Sequence, residues 1–331
     1  MDRLIEIHPP PTIYHPPNIT MPDPSSRPLI AGIDIGGTNV RCALAERDAP
    51  GQILVRRRTR TPQSGVEPVL DVIVEEMTHC LHEAGRDRDE LAAVGCVAPG
   101  ITDAARGVVV EVANLPGWQH VPLTSLLERR FERPVVIAND VNAAALGEFA
   151  YGAGRDCHSL VYLTISTGVA AGIVVEGRLL RGYHHAAGEL GYFIPDPVHL
   201  GKNWDPSGCL ELTSAGIGLA QAWADLRGGP ATSDRAIEVF DAARAGDADA
   251  EALVRRAADY LAQAAIAIGN LIDPERLVLG GSIAQHEARI ANRIRDVVET
   301  TLLFPPEVVH AALGDDAPLI GALTLAARTT S

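Results

Sequence analysis

Apolar and polar residues follow two different periods along the chain, and each period predicts one kind of element. Leu29 to Ile33 and Val40 to Leu44 are apolar runs that predict two strands on either side of a glycine turn. Residues 52–61 predict a third strand, and residues 66–84 carry apolar side chains at helical spacing. The next apolar runs predict a buried strand at 91–97 and a helix at 123–131. This order of elements predicts one lobe of an α/β fold.

The second half of the chain repeats this outline. Residues 159–177 predict another hairpin, with the turn Ser166-Thr167-Gly168 between two apolar strands. Residues 277–279 predict a strand that leads into Gly280-Gly281, and residues 318–327 predict a final helix. Residues 250–272 predict a long helix whose apolar face comprises Leu253, Val254, Ala257, Leu261, Ala264, Ile268 and Leu271. A weak internal repeat of this kind indicates a duplicated fold of two lobes.

Composition narrows the class of protein. The chain has 331 residues, of which 47% are hydrophobic and 21% charged, so it is long enough for two cores. Its formal net charge of −14 argues against a nucleic-acid partner, because phosphate neutralisation needs clustered Lys and Arg. Lys202 is the single lysine, so no P-loop is possible and a bound nucleotide must be held in another way.

The cysteines and the N-terminal segment bear on localisation and partners. Five cysteines are scattered without any C-x-x-C pair, which fits a reduced protein of the cytoplasm. The chain has no apolar run of membrane-spanning length, and we expect neither export nor a membrane anchor. Residues 1–28 contain eight prolines and predict an irregular or polyproline arm, which leaves no room for a helical DNA-binding domain.

Two short segments carry residues suited to chemistry. The turn Gly36-Gly37-Thr38-Asn39 can form an anion-binding nest of backbone N–H groups, and Asp34 beside it suggests a metal-bound nucleotide. An ordinary glycine hairpin is the alternative. Asn139-Asp140 stands between a buried strand and an alanine-rich helix, where a carboxylate faces the ligand crevice of an α/β sheet. Helix capping is the alternative there, but a cap needs only one of the two residues.

In this order the motifs resemble those of the ROK family of sugar kinases and repressors, within the actin/hexokinase superfamily. The resemblance spans residues 29–327 and consists of Asp34 to Asn39, Pro99-Gly100, Asn114 to Trp118, Asn139-Asp140 to Glu148, Thr164 to Gly172, Gly188-Glu189, Gly208 to Glu211 and Gly280-Gly281. It implies an α/β, two-lobe actin-like (ribonuclease H-like/hexokinase) ATPase fold with a β-β-β-α-β-α core in each lobe. The implied division is a proline-rich arm at 1–28, a small lobe at 29–138 plus 316–331, and a large lobe at 139–315.

The resemblance also implies roles for individual residues. Phosphate would be held by Gly36, Gly37, Thr38, Asn39, Thr167 and Gly168, and the adenosine site would be lined by Gly280 and Gly281. Sugar hydroxyls would be bound by Asn114, Asn139, Asp140, Glu189 and Glu211. Asp140 would be the catalytic base, taking the proton of the attacked hydroxyl. Asp34 would hold Mg²⁺ through water, because that ion keeps part of its hydration shell.

Two departures from the family pattern change the expectation. Zinc-bearing members have a Gly-His pair and a C-x-C-G-x-x-G-C segment, whereas this chain has Gly191-Tyr192 and then Lys202, Trp204 and Cys209 at the corresponding positions. One thiolate cannot form a tetrahedral zinc site, so we expect no structural zinc and a loop held by packing of Trp204 and by Pro206 instead. Tyr192 would donate its hydroxyl to the sugar or reshape the pocket. His184-His185 would lie at the pocket rim or have no role.

These inferences predict an ATP- and Mg²⁺-dependent kinase that phosphorylates a primary hydroxyl, the 6-OH, of glucose or a glucose-like sugar. An amino sugar of the kanosamine type or a cyclitol is the alternative acceptor, and polyphosphate or another nucleotide the alternative donor. A non-catalytic, sugar-sensing ROK protein is the alternative from another class. The expected partners are a small-molecule sugar and a second copy in a homodimer, with no nucleic acid and no membrane.

Overall fold

The computed structural model describes residues 27–112, 115–205, 207–232 and 234–329. The predicted proline-rich arm lies outside these residues apart from its last two positions, and so do Asn114 and Pro206. Ten α-helices and three β-sheets form the described part of the chain. None of the helices in these ranges combines the length and apolarity that crossing a bilayer requires.

The first sheet has the strand order β3-β2-β1-β4-β8. Its strands are β1 (Leu29–Ile35), β2 (Asn39–Glu46), β3 (Ile53–Arg60), β4 (Leu91–Ala98) and β8 (Val135–Asn139). The first three strands are antiparallel, whereas β1, β4 and β8 run parallel. Helices α1 (Val66–Ala84) and α2 (Leu123–Phe131) cover one face, and they share a core with the apolar side of β1 and β4.

The second sheet repeats this order as β11-β10-β9-β12-β13. Its strands are β9 (Leu160–Ile165), β10 (Val169–Val175), β11 (Arg178–Leu179), β12 (Arg276–Gly280) and β13 (Glu307–His310). Again β9, β10 and β11 pair antiparallel, whereas β12 and β13 run parallel to β9. The duplication predicted from the two hairpins is therefore confirmed strand by strand.

The helices of the second half were only partly predicted. Between β11 and β12 lie α4 (Cys209–Ser214), α5 (Gly216–Arg227), α6 (Asp234–Arg244) and α7 (Ala248–Ile272), and after β12 lie α8 (Ser282–His286) and α9 (Ala288–Thr301). The predicted helix 250–272 corresponds to α7, and its apolar face packs into the second core. Leu271 is a correction, because 82% of it is exposed at the last turn of the helix.

A third sheet was not predicted from the sequence. The segment after Pro99-Gly100, for which the sequence predicts no helix or strand, forms β5 (Ile101–Asp103), β6 (Val108–Glu111) and β7 (Gln119–Val121) in antiparallel order. Strands of three or four residues carry too few alternating positions for a periodic signal. Gly100 directly precedes this sheet and has a φ of 78°. A Cβ at this position would lie 2.1 Å from the carbonyl oxygen of Glu111.

Two helices join the halves of the molecule. Helix α3 (Asp140–Tyr151) follows β8 of the first sheet but packs against β9 and β10 of the second, whereas α10 (Ala317–Ala327) follows β13 and packs on β1 and β4 of the first. The two helices cross through glycines, since a Cβ on Gly321 would lie 1.9 Å from the carbonyl oxygen of Ala143. The lobe boundaries at 138/139 and 315/316 remain a prediction.

Candidate active site

Asp34 and Asp140 lie at the same edge of the first sheet. The register places Asp34 beside Val97 on β4, and Val97 beside Ala138 on β8, so Asp140 follows this row by two residues. Two strand spacings separate β1 from β8, about 10 Å. This edge is formed by the carboxyl ends of three parallel strands, where open α/β sheets bind their ligands.

The first glycine turn is held so that its carbonyl groups are occupied. Thr61 donates to the carbonyls of Gly36 (2.6 Å, from Oγ1) and Thr38 (2.9 Å, from the backbone N–H), and Gln63 Nε2 donates to that of Gly37 (2.9 Å). The backbone N–H groups of Gly37 and Thr38 have no acceptor among the described residues. Two successive free N–H groups are available to an anion, and the binding of phosphate at this turn stays a prediction.

The second turn has the same organisation. The carbonyls of Ser166 and Thr167 accept from the N–H groups of Gly216 (2.9 Å) and Ile217 (3.0 Å) at the start of α5. The N–H groups of Thr167 and Gly168 have no acceptor within the described ranges. Each sheet therefore has one turn whose carbonyls accept hydrogen bonds from other residues of the protein. The N–H groups of each turn are available to phosphate oxygens.

Asn139 and Asp140 divide the two roles that the sequence left open. The Asn139 side chain caps α3 by accepting from the N–H groups of Val141 (2.9 Å) and Asn142 (3.2 Å), and it donates to the carbonyl of Gly100 (2.9 Å). The Asp140 carboxylate accepts the Val141 N–H at 2.9 Å through Oδ1 and makes no ion pair with a described residue. Asn139 is the cap, and Asp140 is left for chemistry.

The surroundings of Asp140 raise the pKa of its carboxyl group. Burial and the charge of Asp34 raise its pKa from 3.8 to about 7, with a smaller contribution from Glu189, against the backbone N–H that it accepts. A carboxyl group with a pKa near the working pH is suited to taking up a proton.

The charge of Glu189 acts on three other predicted residues. Burial raises the pKa of Glu189 and of Glu211, and the charge of Glu189 raises the pKa of Asp140, Glu211 and Tyr192. Tyr192 is 48% exposed. Gly191, which directly precedes Tyr192, packs against Glu211, since a Cβ on Gly191 would lie 3.5 Å from that of Glu211. Asn114 lies outside the described residues.

Glu211 has a contact that sequence reasoning missed. Its Oε2 accepts the N–H of Val169 at 3.0 Å, and a Cβ on Gly168 would lie 2.2 Å from the same oxygen. The carboxylate therefore supports the second phosphate turn directly. One side chain connects the predicted sugar pocket with the predicted phosphate site.

Asp34 is paired with an arginine. Arg41 Nε lies 2.7 Å from Asp34 Oδ2, and the Arg41 side chain also donates to the carbonyl of Asp315. Burial raises the pKa of Asp34, and the charge of Arg41 opposes this rise. The hairpin register sets Asp34 opposite Arg41, so counting outward from the glycine turn could have found this pair. The described residues contain no cluster of three or more His, Cys, Asp or Glu that could hold a metal ion by itself.

An apolar cavity of about 620 Å³ opens beside the second turn. It is lined by Ser166 and Thr167 of the turn, Ile217 of α5, Phe240 of α6, and Ser282 and His286 of α8. Ser282, which lines the cavity, directly follows Gly281, whose φ is 84°. Gly280 instead admits the ring of Tyr162, since a Cβ there would lie 2.2 Å from the Tyr162 hydroxyl. An apolar cavity of this volume with a few polar lining groups has the character of a small-molecule site.

The loop that precedes Glu211 is held by aromatic side chains. Trp204 Nε1 donates to the carbonyl of His199 at 3.2 Å, and its ring packs edge-on against the His199 ring. Tyr260 donates to Asp196 Oδ2 at 3.2 Å. The expected packing of Trp204 is present. The contribution expected of Pro206 lies outside the described residues, and the absence of structural zinc stays a prediction.

The adjacent histidines do not act as a pair. His185 Nε2 lies 3.2 Å from the carboxylate of Asp103 on β5, and His184 is exposed. This contact joins the third sheet to the loop that carries Glu189. It agrees with a rim position, and no signal in the sequence relates Asp103 to His185.

Comparisons with known proteins agree with this geometry. The ROK family model matches residues 30–329. The chain is 32% identical over 313 residues to a glucokinase of Thermotoga maritima, covering 89% of this chain and 96% of that protein. It is 33% identical over 300 residues to an N-acetylmannosamine kinase of Escherichia coli, covering 89% and 97% respectively.

Solved structures show the same fold. A ROK hexokinase from Thermus thermophilus superposes with a TM-score of 0.79 at 33% identity, covering 90% of this chain and 97% of that one. A ROK family glucokinase from Streptomyces griseus, solved in complex with glucose and AMPPNP, superposes with a TM-score of 0.72 at 29% identity, covering 91% and 100%. The two-lobe actin-like fold is therefore confirmed. Because the family model matches residues 30–329, nearly the whole chain, this protein belongs to the ROK family.

Proposed function

We propose that this protein is an ATP-dependent sugar kinase that transfers a phosphoryl group to the 6-OH of glucose or a glucose-like sugar, with Asp140 as the general base. The observation that carries the proposal is the Asp140 carboxyl group, whose pKa is raised to about 7 by burial and by the charges of Asp34 and Glu189. Its similarity to glucokinases and to a ROK hexokinase identifies the protein as a hexose kinase, a phosphotransferase that acts on an alcohol.

The residues of this chain fit the donor. The apolar cavity would hold adenine, and the N–H groups of the two turns would hold the phosphates, as an anion site of two nests requires. Bound ATP supplies the transferable phosphoryl group, and Mg²⁺ neutralises its charge. Asp34 has one carboxylate oxygen, Oδ1, outside its contact with Arg41, which fits a metal held through water rather than by direct ligation.

The residues around Asp140 fit the acceptor. Glu189 and Tyr192 provide one acidic acceptor and one hydroxyl donor, which suits the alternating donors and acceptors of a sugar. The ionised Asp140 accepts the proton of the attacking hydroxyl, and the turns keep their N–H groups aimed at the phosphate charge without reorganisation. Closure of the two halves about the α3–α10 crossing would exclude water from the transfer.

Two alternative functions are each judged by one observation. An amino sugar of the kanosamine type or a cyclitol is favoured by Tyr192, which changes the pocket relative to the family's histidine. A non-catalytic sugar sensor would need no base, and the raised pKa of Asp140 speaks against it. We further propose a cytoplasmic homodimer without nucleic-acid or membrane partners, in line with five free buried cysteines and the net charge of −14.

A coupled assay of ADP release tests the function. Glucose, mannose, N-acetylmannosamine, an amino-glucose and a cyclitol are offered with ATP and Mg²⁺. With polyphosphate in place of ATP, the sugar phosphate itself is measured, because this donor releases no ADP. We expect turnover with ATP and at least one glucose-like acceptor, and none after Mg²⁺ is chelated. No turnover with any acceptor, together with measurable sugar binding, would instead identify a sensor.

The activity should depend on pH through Asp140. The base works only when ionised, and its pKa of about 7 means that protonation removes it below that pH. We therefore expect kcat/KM to rise about tenfold per pH unit below pH 6 and to level off above pH 8. Initial rates between pH 5.5 and 9 at constant ionic strength measure this profile. A flat profile from pH 6 to 8 would contradict a base with this pKa.

A further inference from the structure

A second cavity, of about 790 Å³, lies between the edge strands β8 and β11 of the two large sheets. We call it the arginine cleft, after its lining residues Arg106, Arg178, Arg181 and Arg328. Its floor includes Val135 to Ile137, at the beginning of β8, whereas Asp140 follows the end of that strand. It shares no residue with the apolar cavity of the candidate active site.

The charge of the arginine cleft is unusual for this chain. The protein has 42 acidic and 28 basic residues, yet no Asp or Glu lines the cleft. The side chains of Arg178, Arg181 and Arg328 form no ion pair or hydrogen bond with a described residue. Arg106 lies 3.7 Å from the carboxylate of Asp103, outside the cleft lining, and is 84% exposed.

A comparable cavity shows how the chain otherwise treats arginines. That cavity, of about 600 Å³, is lined by Arg41, Arg56, Arg57 and Arg58 on the other flank of α10. Three of its arginines are neutralised, by Asp34, Asp316 and Glu76 respectively. The arginine cleft has the same number of guanidinium groups, but only Arg106 has an acidic partner among the described residues. Most of its positive charge is therefore not neutralised by the part of the chain that the structure describes.

The chemistry of the lining selects the ligand. Guanidinium groups bind phosphate oxygens through two parallel hydrogen bonds, and a cleft with several arginines and no carboxylate disfavours a metal cation. Apolar side chains such as Leu179 and Leu325 line the rest of the wall and can contact an organic group. The volume lies in the range of about 300–1,000 Å³ usual for small-molecule sites. We propose that the arginine cleft binds a small phosphorylated molecule through its phosphate group.

Such a ligand would contact both halves of the molecule. Arg178 and Arg181 belong to β11 and the residues after it, whereas Arg328 ends α10, which packs on the first sheet. The proposal does not depend on the kinase activity, because it concerns residues at the opposite end of β8 from the candidate base. Its failure would leave the proposed function untouched.

Isothermal titration calorimetry of the full chain tests the proposal. Orthophosphate and glucose 6-phosphate are titrated separately at constant ionic strength, with AMPPNP, Mg²⁺ and glucose present to occupy the active site. We expect saturable binding that the double variant Arg178→Glu/Arg181→Glu weakens at least tenfold. Tighter binding of glucose 6-phosphate than of orthophosphate identifies an organic phosphate as the ligand, whereas equal affinity identifies free phosphate.

The matched control is Arg255→Glu/Arg256→Glu on α7, which makes the same change of charge at two exposed arginines without ion-pair partners among the described residues. It should bind phosphate within twofold of the unmodified protein. Arg328→Glu, on a different element, tests the cleft again should the double variant fail to fold. Equal binding by the cleft variants and the unmodified protein, or equal loss in the control, would overturn the proposal.

Discussion

Asp140→Asn should lower kcat about a thousandfold, within the range of about 10²–10⁴ that general bases contribute. The amide keeps the shape of the side chain but cannot take the proton of the attacking hydroxyl. Because Asn139, not Asp140, caps α3, the substitution leaves the helix start in place. Initial rates at saturating ATP and sugar measure the loss. The affinity for sugar, measured by calorimetry, should change only a few-fold.

The stability of the same variant separates a catalytic from a structural role. The folded protein holds the Asp140 pKa above that of the unfolded chain, so the native state binds more protons between pH 4 and 7 and loses stability as the pH rises through this window. Asn has no charge to bury, and Asp140→Asn should therefore melt higher than the unmodified protein at pH 8. Asp156→Asn, at an exposed site, should change neither rate nor melting temperature. A variant that lost activity and stability together at pH 8 would contradict this role.

Glu148→Ala should destabilise the protein by about 3 kcal/mol, since each buried donor left without an acceptor costs about 1–3 kcal/mol. Glu148 is fully buried on α3, and its carboxylate accepts the backbone N–H groups of Ala153 (2.8 Å), Ala312 (3.1 Å) and Leu313 (2.7 Å). Two of these belong to the segment that leads into α10. Glu148 thus connects the end of α3 to the segment that precedes α10.

Urea unfolding followed by circular dichroism measures this effect as a lower midpoint with an unchanged slope. Glu148→Gln keeps one acceptor and should fall between the two proteins. Glu128→Ala, an exposed glutamate on α2 without a side-chain partner among the described residues, should stay within about 0.5 kcal/mol of the unmodified protein. A loss for Glu148→Ala no larger than that of the control would show that the three N–H groups find other acceptors.

The strands and the candidate base were predictable because their signals are local. Each apolar run of β1, β2 and β9 ends at a turn residue, and Asn139-Asp140 stands where a strand becomes a helix, so position along the chain already indicates position in the sheet. The pairing of Asp34 with Arg41 was equally available from the hairpin register and was missed. The three-stranded sheet after Gly100 was missed because its strands are too short to show a period.

The sequence by itself determined the duplicated order of strands, the two glycine turns and the family. Only the tertiary structure decided which side chains meet: Glu211 with the Val169 N–H, His185 with Asp103, and four arginines of separate elements in one cleft. Strand and turn formation depends on neighbours within a few residues, so local sequence patterns predict it. Contacts between residues far apart in the sequence depend on the packing of whole surfaces, among them the surfaces along which α3 and α10 cross.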